Sequence, residues 1–154
     1  MFRWLRGLSV KRKPRRVILR HAGEHHNLQE IYSQINARYF DSQLDLHITW
    51  FGNRNFSPKS RIVLGSYNSR LELIKIHRHL DQAHIPHHYI SFVVYHEMLH
   101  HTAPPIRKRG RRKVHHIDFK QLEKKYHDYH LAKEFDGLLK KQLFEPAAKL
   151  LKPR

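Results

Sequence analysis

Tyr89-Ile90-Ser91-Phe92-Val93-Val94-Tyr95-His96-Glu97-Met98-Leu99-His100 is the stretch on which both the fold and the chemistry turn. Its first seven residues carry no charge and are strongly apolar, so a helix formed here is enclosed by protein on most sides. Its last five place two histidines four positions apart, one above the other on the same helix face. From that face both imidazoles reach a single tetrahedral ion. Glu97 follows the first histidine directly. Its carboxylate therefore projects beside the ion, placed to take a proton from a water molecule there.

Histidine is abundant here, 16 of 154 residues, so pairs at this spacing arise by chance. His21/His25 and His84/His88 share the spacing, but in neither does Glu follow the first histidine. The complete His-Glu-x-x-His order, approached through an apolar run, is the pattern of zinc metallopeptidases. Pro86 opens this helix at a favoured first-turn position. Pro104-Pro105 cannot continue it, which sets its limit near His101.

Working outward, Leu28, Ile31, Ile35 and Tyr39 recur every three or four residues and predict a helix from Asn27 to about Phe40-Asp41. Strands are predicted over 46–50, 61–67 and 71–77, separated by a loop over 52–60 and a turn at Asn68-Ser69. Their spacing suggests an antiparallel meander. Beyond Pro105, residues 107–113 read as a basic loop. A helix from about His115 to His130 follows, with Phe119, Leu122, Tyr126 and Tyr129 on one face. A last helix, from about Ala132 to Phe144, stops before Pro146. The expected class is α+β: an N-terminal helix, a three-stranded, mainly antiparallel sheet, the His-Glu helix, a third-ligand helix and a C-terminal helix. The expected organisation is a basic arm over 1–22, one domain over 23–145 and a basic tail over 146–154.

The chain has no cysteine, which excludes disulfides, thiol nucleophiles and Cys-type zinc ribbons. A metal must then be held by His, Asp or Glu, and a catalytic zinc needs three protein ligands and an open position. Candidates for the third are His101, His115, His116, His127 and His130. Helical phase separates the adjacent pair. His115 falls with Phe119, Leu122 and Tyr126 on the core-facing stripe, whereas His116 falls with Lys120, Glu123 and His127 on the polar face. His115 is therefore chosen, with His116 in reserve. His101 reads most simply as a helix C-terminal residue. Asp118, Glu123 and Asp128 are candidates to accept a ligand's ring N–H, and each also reads as a surface acid. For a developing oxyanion the candidates are Tyr126, Tyr129 and an arginine of 107–112.

The formal charge is +17 and the isoelectric point about 10.5. Such an excess attracts polyanions, DNA or RNA among them. Arg107, Lys108, Arg109, Arg111, Arg112 and Lys113 supply one basic segment. The N-terminal arm, with Lys11-Arg12-Lys13-Pro14-Arg15-Arg16, supplies another. Trp4, Trp50, Phe51 and Phe56 are candidates to stack on unpaired bases. No stretch approaches the ~20 apolar residues of a membrane span. Met1 to Leu8 lack the continuous apolar core of a secretory signal. A cytoplasmic location is expected, with nucleoid association where the charge is met by DNA.

Three blocks in order resemble the SprT-like family of zinc metallopeptidases, over roughly residues 27–130. The first is Leu28-x-x-Ile31-Tyr32-x-x-Ile35-Asn36-x-x-Tyr39-Phe40 with the strand that follows to Trp50. The second is Ile74-x-Ile76-His77-x-x-Leu80-Asp81 leading into Val93-Val94-Tyr95-His96-Glu97-Met98-Leu99-His100. The third is His115-His116-Ile117-Asp118-Phe119, similar to the family's His-x-x-x-Phe element, whose histidine is the third ligand. The resemblance implies a zincin-like fold and His115 as that ligand. Longer members carry a Cys-based zinc ribbon after the protease domain. This cysteine-free chain looks like a minimal form. The family's DNA-associated members degrade proteins attached to DNA, which the resemblance extends to this chain as an expectation.

The expected function is hydrolysis of peptide bonds in protein substrates with one Zn²⁺ on His96, His100 and His115 and with Glu97 as general base. The alternative is a nucleic-acid-binding protein whose zinc is structural or catalytically silent. The charge supports that alternative, and the presence of Glu97 counts against it. A His₃ zinc ribonuclease ranks below both, because Pro104-Pro105 end the helix before another histidine of that longer motif arrives.

Overall fold

A computed structural model describes residues 16–55 and 61–144 of the chain. Trp4, Phe56, most of the N-terminal arm and the C-terminal tail lie outside the described residues. The elements run α1 (Leu28–Phe40), β1 (His47–Phe51), β2 (Gly65–Asn68), β3 (Leu73–His77), α2 (His87–Thr102), β4 (Ile106–Lys108), β5 (Arg111–Lys113), α3 (Ile117–Glu123) and α4 (Tyr129–Phe144).

α1 begins where Asn27 Oδ1 accepts from the backbone N–H groups of Gln29 and Glu30. It ends where Asp41 takes a left-handed conformation, φ 51°. Leu28, Ile31, Tyr32, Ile35 and Asn36 form its buried face, as the period predicts. Two of them also tie down the descent into the sheet. The Tyr32 hydroxyl donates to Leu44 O and accepts from Leu46 N, while Asn36 exchanges both of its amide functions with Leu44.

The sheet departs from the expected meander. Its order is β1-β3-β2, with β1 parallel to β3 and β2 antiparallel to it. Burial supplies the physical reason. β3, Leu73-Ile74-Lys75-Ile76-His77, buries residues on both faces and so takes the central position. β2, Gly65-Ser66-Tyr67-Asn68, buries nothing fully and takes the edge. It is also shorter than the predicted 61–67, because residues 61–64 have no regular structure. On the other side, Arg20 O accepts from Trp50 N and Arg20 N donates to Thr49 Oγ1, so the chain before α1 runs along β1.

α2 is the centre of the molecule. Tyr89 to Tyr95, Glu97, Met98 and Leu99 are all buried, so the helix is covered nearly all round, as its apolar run requires. α1, the sheet, α3 and α4 pack around it. Two expectations for the C-terminal half are corrected. The basic loop is a β-hairpin, β4 pairing with β5 through a turn at Arg109-Gly110 whose residues both have positive φ. The helix expected from His115 to His130 is shorter, and the last helix begins at Tyr129 rather than at about Ala132. α3 starts only at Ile117, and the chain turns between Glu123 and Tyr129 so that Tyr126 can bury its ring and donate from its hydroxyl to His88 O. His115 therefore precedes the helix, and His116 caps it.

Candidate metal centre

Two elements and one linker converge on a single point. α2 carries His96 and His100 on its exposed stripe, and the residue between β5 and α3 that reaches them is His115. The Nε2 atoms of His100 and His96 are 3.2 Å apart, and those of His115 and His100 3.3 Å. One ligand atom from each of the three residues lies within 4.8 Å of the others. For Zn–N bonds of about 2.05 Å, the edge of a coordination tetrahedron is about 3.3 Å. Two of the three separations thus match that edge, and all three imidazoles border the cleft.

The ring orientations have identifiable causes. His96 Nδ1 is 2.7 Å from Glu123 Oε1. A carboxylate accepts, so Nδ1 carries the proton and Nε2 presents its lone pair to the cluster. Behind all three rings lies Phe119, fully buried on α3. It stacks on His100 with centroids 4.7 Å apart, and its ring is 5.1 Å from that of His96 and 4.9 Å from that of His115. Burial, with His96 and His115 adjacent, pulls the His100 imidazole down to about 4. Burial first, then His96, Lys120 and Lys133, lower His115. Both shifts favour the neutral imidazole, the form that binds a metal. Burial works against ionisation of Glu123, but its hydrogen bond to His96 and the nearby positive charge carry it below the usual range.

Glu97 is 5% exposed. Burial raises its carboxyl to about 7, with His96 opposing. Among the described residues no group hydrogen-bonds this carboxyl, although buried polar groups normally find partners. It faces the cleft instead. Gly65 of β2 closes over it, so tightly that a Cβ there would lie 2.6 Å from Glu97 Oε1 and 3.0 Å from Val93 Cγ1. The cleft over the cluster measures about 540 Å³ and is walled by β2 on one side and by Pro104, Pro105, Arg112 and Val114 on the other.

Over 84% of its length the chain superposes on the crystal structure of the metallopeptidase zymogen of Methanocaldococcus jannaschii jannalysin, covering 99% of that chain with a TM-score of 0.54 and 11% identity. The chain shares a metallopeptidase's fold. No protein-family model matches it, and no curated protein does either.

The cluster takes His115 and leaves His116 out. His116 is not on a polar face, as its assumed helical phase required. It is buried, with Nε2 3.1 Å from Pro104 O, because the chain is not yet helical there. His127 and His130 are exposed on the far side of the turn. His101 does more than end a helix: its Nδ1 is 2.7 Å from the Tyr67 hydroxyl, joining the end of α2 to β2 across the cleft wall. Of the three acids proposed to orient a ligand, Glu123 is the one that meets the cluster, at His96 Nδ1. The Asp118 side chain is 76% exposed, and Asp128 lies beside His127. Tyr126 has its hydroxyl committed to His88, and of the proposed oxyanion groups Arg112 lines the cleft. Trp50 is buried with its indole N–H on His21 O, so it offers no face to a base. Phe51 packs edge-on against His77. Sequence reasoning placed Gly65 and Tyr67 in a strand but gave them no part in the site, because nothing in their residue types points to the cleft. No helix among the described residues is long and apolar enough to cross a membrane.

Proposed function

We propose that this protein is a zinc-dependent endopeptidase of the SprT-like kind, with Zn²⁺ held by His96, His100 and His115 and with Glu97 as general base. The observation that carries the reading is the convergence of three imidazoles, with Nε2–Nε2 separations of 3.2 and 3.3 Å between His100 and its two neighbours, beside a buried carboxyl that no described group hydrogen-bonds. When bound, the ion supplies Lewis acidity for a substrate carbonyl and acidifies water near it.

The chain's own groups do the rest. Glu123 keeps the Nδ1 proton of His96 and so holds that ring's lone pair on the cluster. Glu97 removes a proton from water as the water oxygen bonds the carbonyl carbon. It then passes that proton to the amine as the C–N bond breaks. Among the described residues β2 is an edge strand with no further strand beyond it, and it forms the cleft wall through Gly65, Ser66 and Tyr67. An extended peptide laid against that edge gains main-chain hydrogen bonds with no demand on its sequence.

The experiment is zinc stoichiometry and casein cleavage, with and without chelator. Wild type and Glu97→Gln each hold one zinc, and only wild type cleaves. His115→Ala loses the metal, and His116→Ala keeps it. Cleavage undiminished in Glu97→Gln, or zinc retained in His115→Ala, overturns the assignment.

A second feature bears on where such a peptidase acts. Every residue of β4 and β5 is exposed, and six of the eight residues from Ile106 to Lys113 are Arg or Lys. The hairpin ends two residues before His115. This supports contact with a polyanion, DNA or RNA, at the rim of the cleft. The same charge favours the alternative of a nucleic-acid-binding protein with a silent zinc site. The buried, unpartnered Glu97 argues against it, because a structural site has no use for such a group.

A further inference from the structure

Glu97 and His96 border two cavities, not one. The second, about 200 Å³, shares Gly65, His96 and Glu97 with the main cleft but opens towards α4. A substrate whose reacting carbonyl sits at the cluster therefore places one neighbouring side chain in this smaller space. Its walls are apolar where Leu64 and Val93 line it, and Phe92 forms its floor.

Besides His96 and Glu97 of the centre itself, four charged side chains line this pocket. Glu123 is engaged by His96. Asp136 accepts from the Tyr89 hydroxyl at 2.7 Å and pairs with Lys140 at 2.6 Å, so that acid and that lysine neutralise each other. Lys133 remains. Its Nζ lies 5.9 Å from the centroid of the Phe92 ring, and among the described residues it has no carboxylate within ion-pairing distance. Its charge is nonetheless felt at the centre, where it contributes to lowering both Glu123 and His115.

We propose that Lys133 is a specificity-determining residue: it selects an acidic side chain, Glu or Asp, at one position flanking the cleaved bond. The aliphatic stem of that side chain lies against Phe92 and Val93, and its carboxylate meets the Lys133 ammonium at the pocket mouth. A basic side chain in the same place would face Lys133 and Lys140, and the one acid of the pocket without an ion-pair partner, Glu97, is turned to the cluster as the general base. The inference deepens the peptidase reading and rests on it.

The test is cleavage-site profiling of a mixed peptide library by the zinc-loaded protein, sequencing both ends of every product. Wild type enriches Glu and Asp over Lys and Arg about tenfold at a single flanking position. Lys133→Arg keeps that bias, Lys133→Gln loses it, and Lys133→Glu reverses it towards Lys and Arg. Zinc stoichiometry, read on each variant, stays at one. Glu97-dependent cleavage with no acidic bias, or with the same profile in Lys133→Glu, overturns the role of Lys133 and leaves the peptidase reading standing. Absence of any Glu97-dependent cleavage overturns the peptidase reading, and this one with it.

Discussion

Replacing Glu97 by Gln should make the metal-free protein more stable at pH 8 and leave it almost unchanged at pH 4. Glu97 is buried, and its carboxyl is raised from an ordinary 4.5 to about 7. In the unfolded chain it ionises near 4.5 instead. Unfolding therefore releases a proton between those values, and wild-type stability falls as pH climbs through that window. Above pH 7 the loss is complete. A carboxyl moved this far corresponds to about 3 kcal/mol of folding free energy. Gln has nearly the same size and cannot ionise, so the variant escapes the loss. The assay is urea unfolding of chelator-treated wild type and variant at pH 4, 6 and 8. Comparing the two chains at each pH cancels the histidines, whose depressed values act in the opposite sense. The gap should open with rising pH and close again when zinc is added, because a nearby cation offsets the charge. Equal stability at pH 8, or a gap that widens towards acid, would refute the burial argument.

Three further outcomes are expected. Gly65→Ala should retain zinc and lose casein cleavage by about a hundredfold, because its Cβ must displace the Glu97 carboxyl; a kinetic assay beside metal analysis checks this. Phe119→Ala removes the ring that backs all three imidazoles, and should cost about 3–5 kcal/mol in a denaturation experiment as well as loosening zinc in a chelator competition. Replacing Arg107, Lys108, Arg109, Arg111, Arg112 and Lys113 by Ser should flatten the salt dependence of binding to single-stranded DNA; a steep slope that survives places the contact elsewhere.

The legible parts of the molecule are the local ones. α1 and α2 follow from a period of three to four and from capping residues within a few positions. The His96-Glu97-His100 group is set by the pitch of one helix. Sheet order depends on which strand can be buried on both faces, and that is decided by helices distant in sequence. Hence β3, and not β2, lies in the middle. β2 itself, Gly-Ser-Tyr-Asn, owes its place to a close approach over Glu97 that no pattern in its own residues announces. His115 was chosen for a helical phase it does not have. It reaches His96 and His100 by another route, lying against Phe119 four positions on. The neighbouring His116, read as solvated by that same phase, is buried for want of it. Glu123 looked like one surface acid among several until the turn after α3 brought it onto His96.

His96 and His100 are mounted on a rigid rod, whereas His115 hangs from a short tether between a hairpin and a seven-residue helix. The first two imidazoles therefore keep their mutual spacing for as long as the helix stands. The third is joined to the basic finger through one residue, Val114, so its position also depends on how that finger is set.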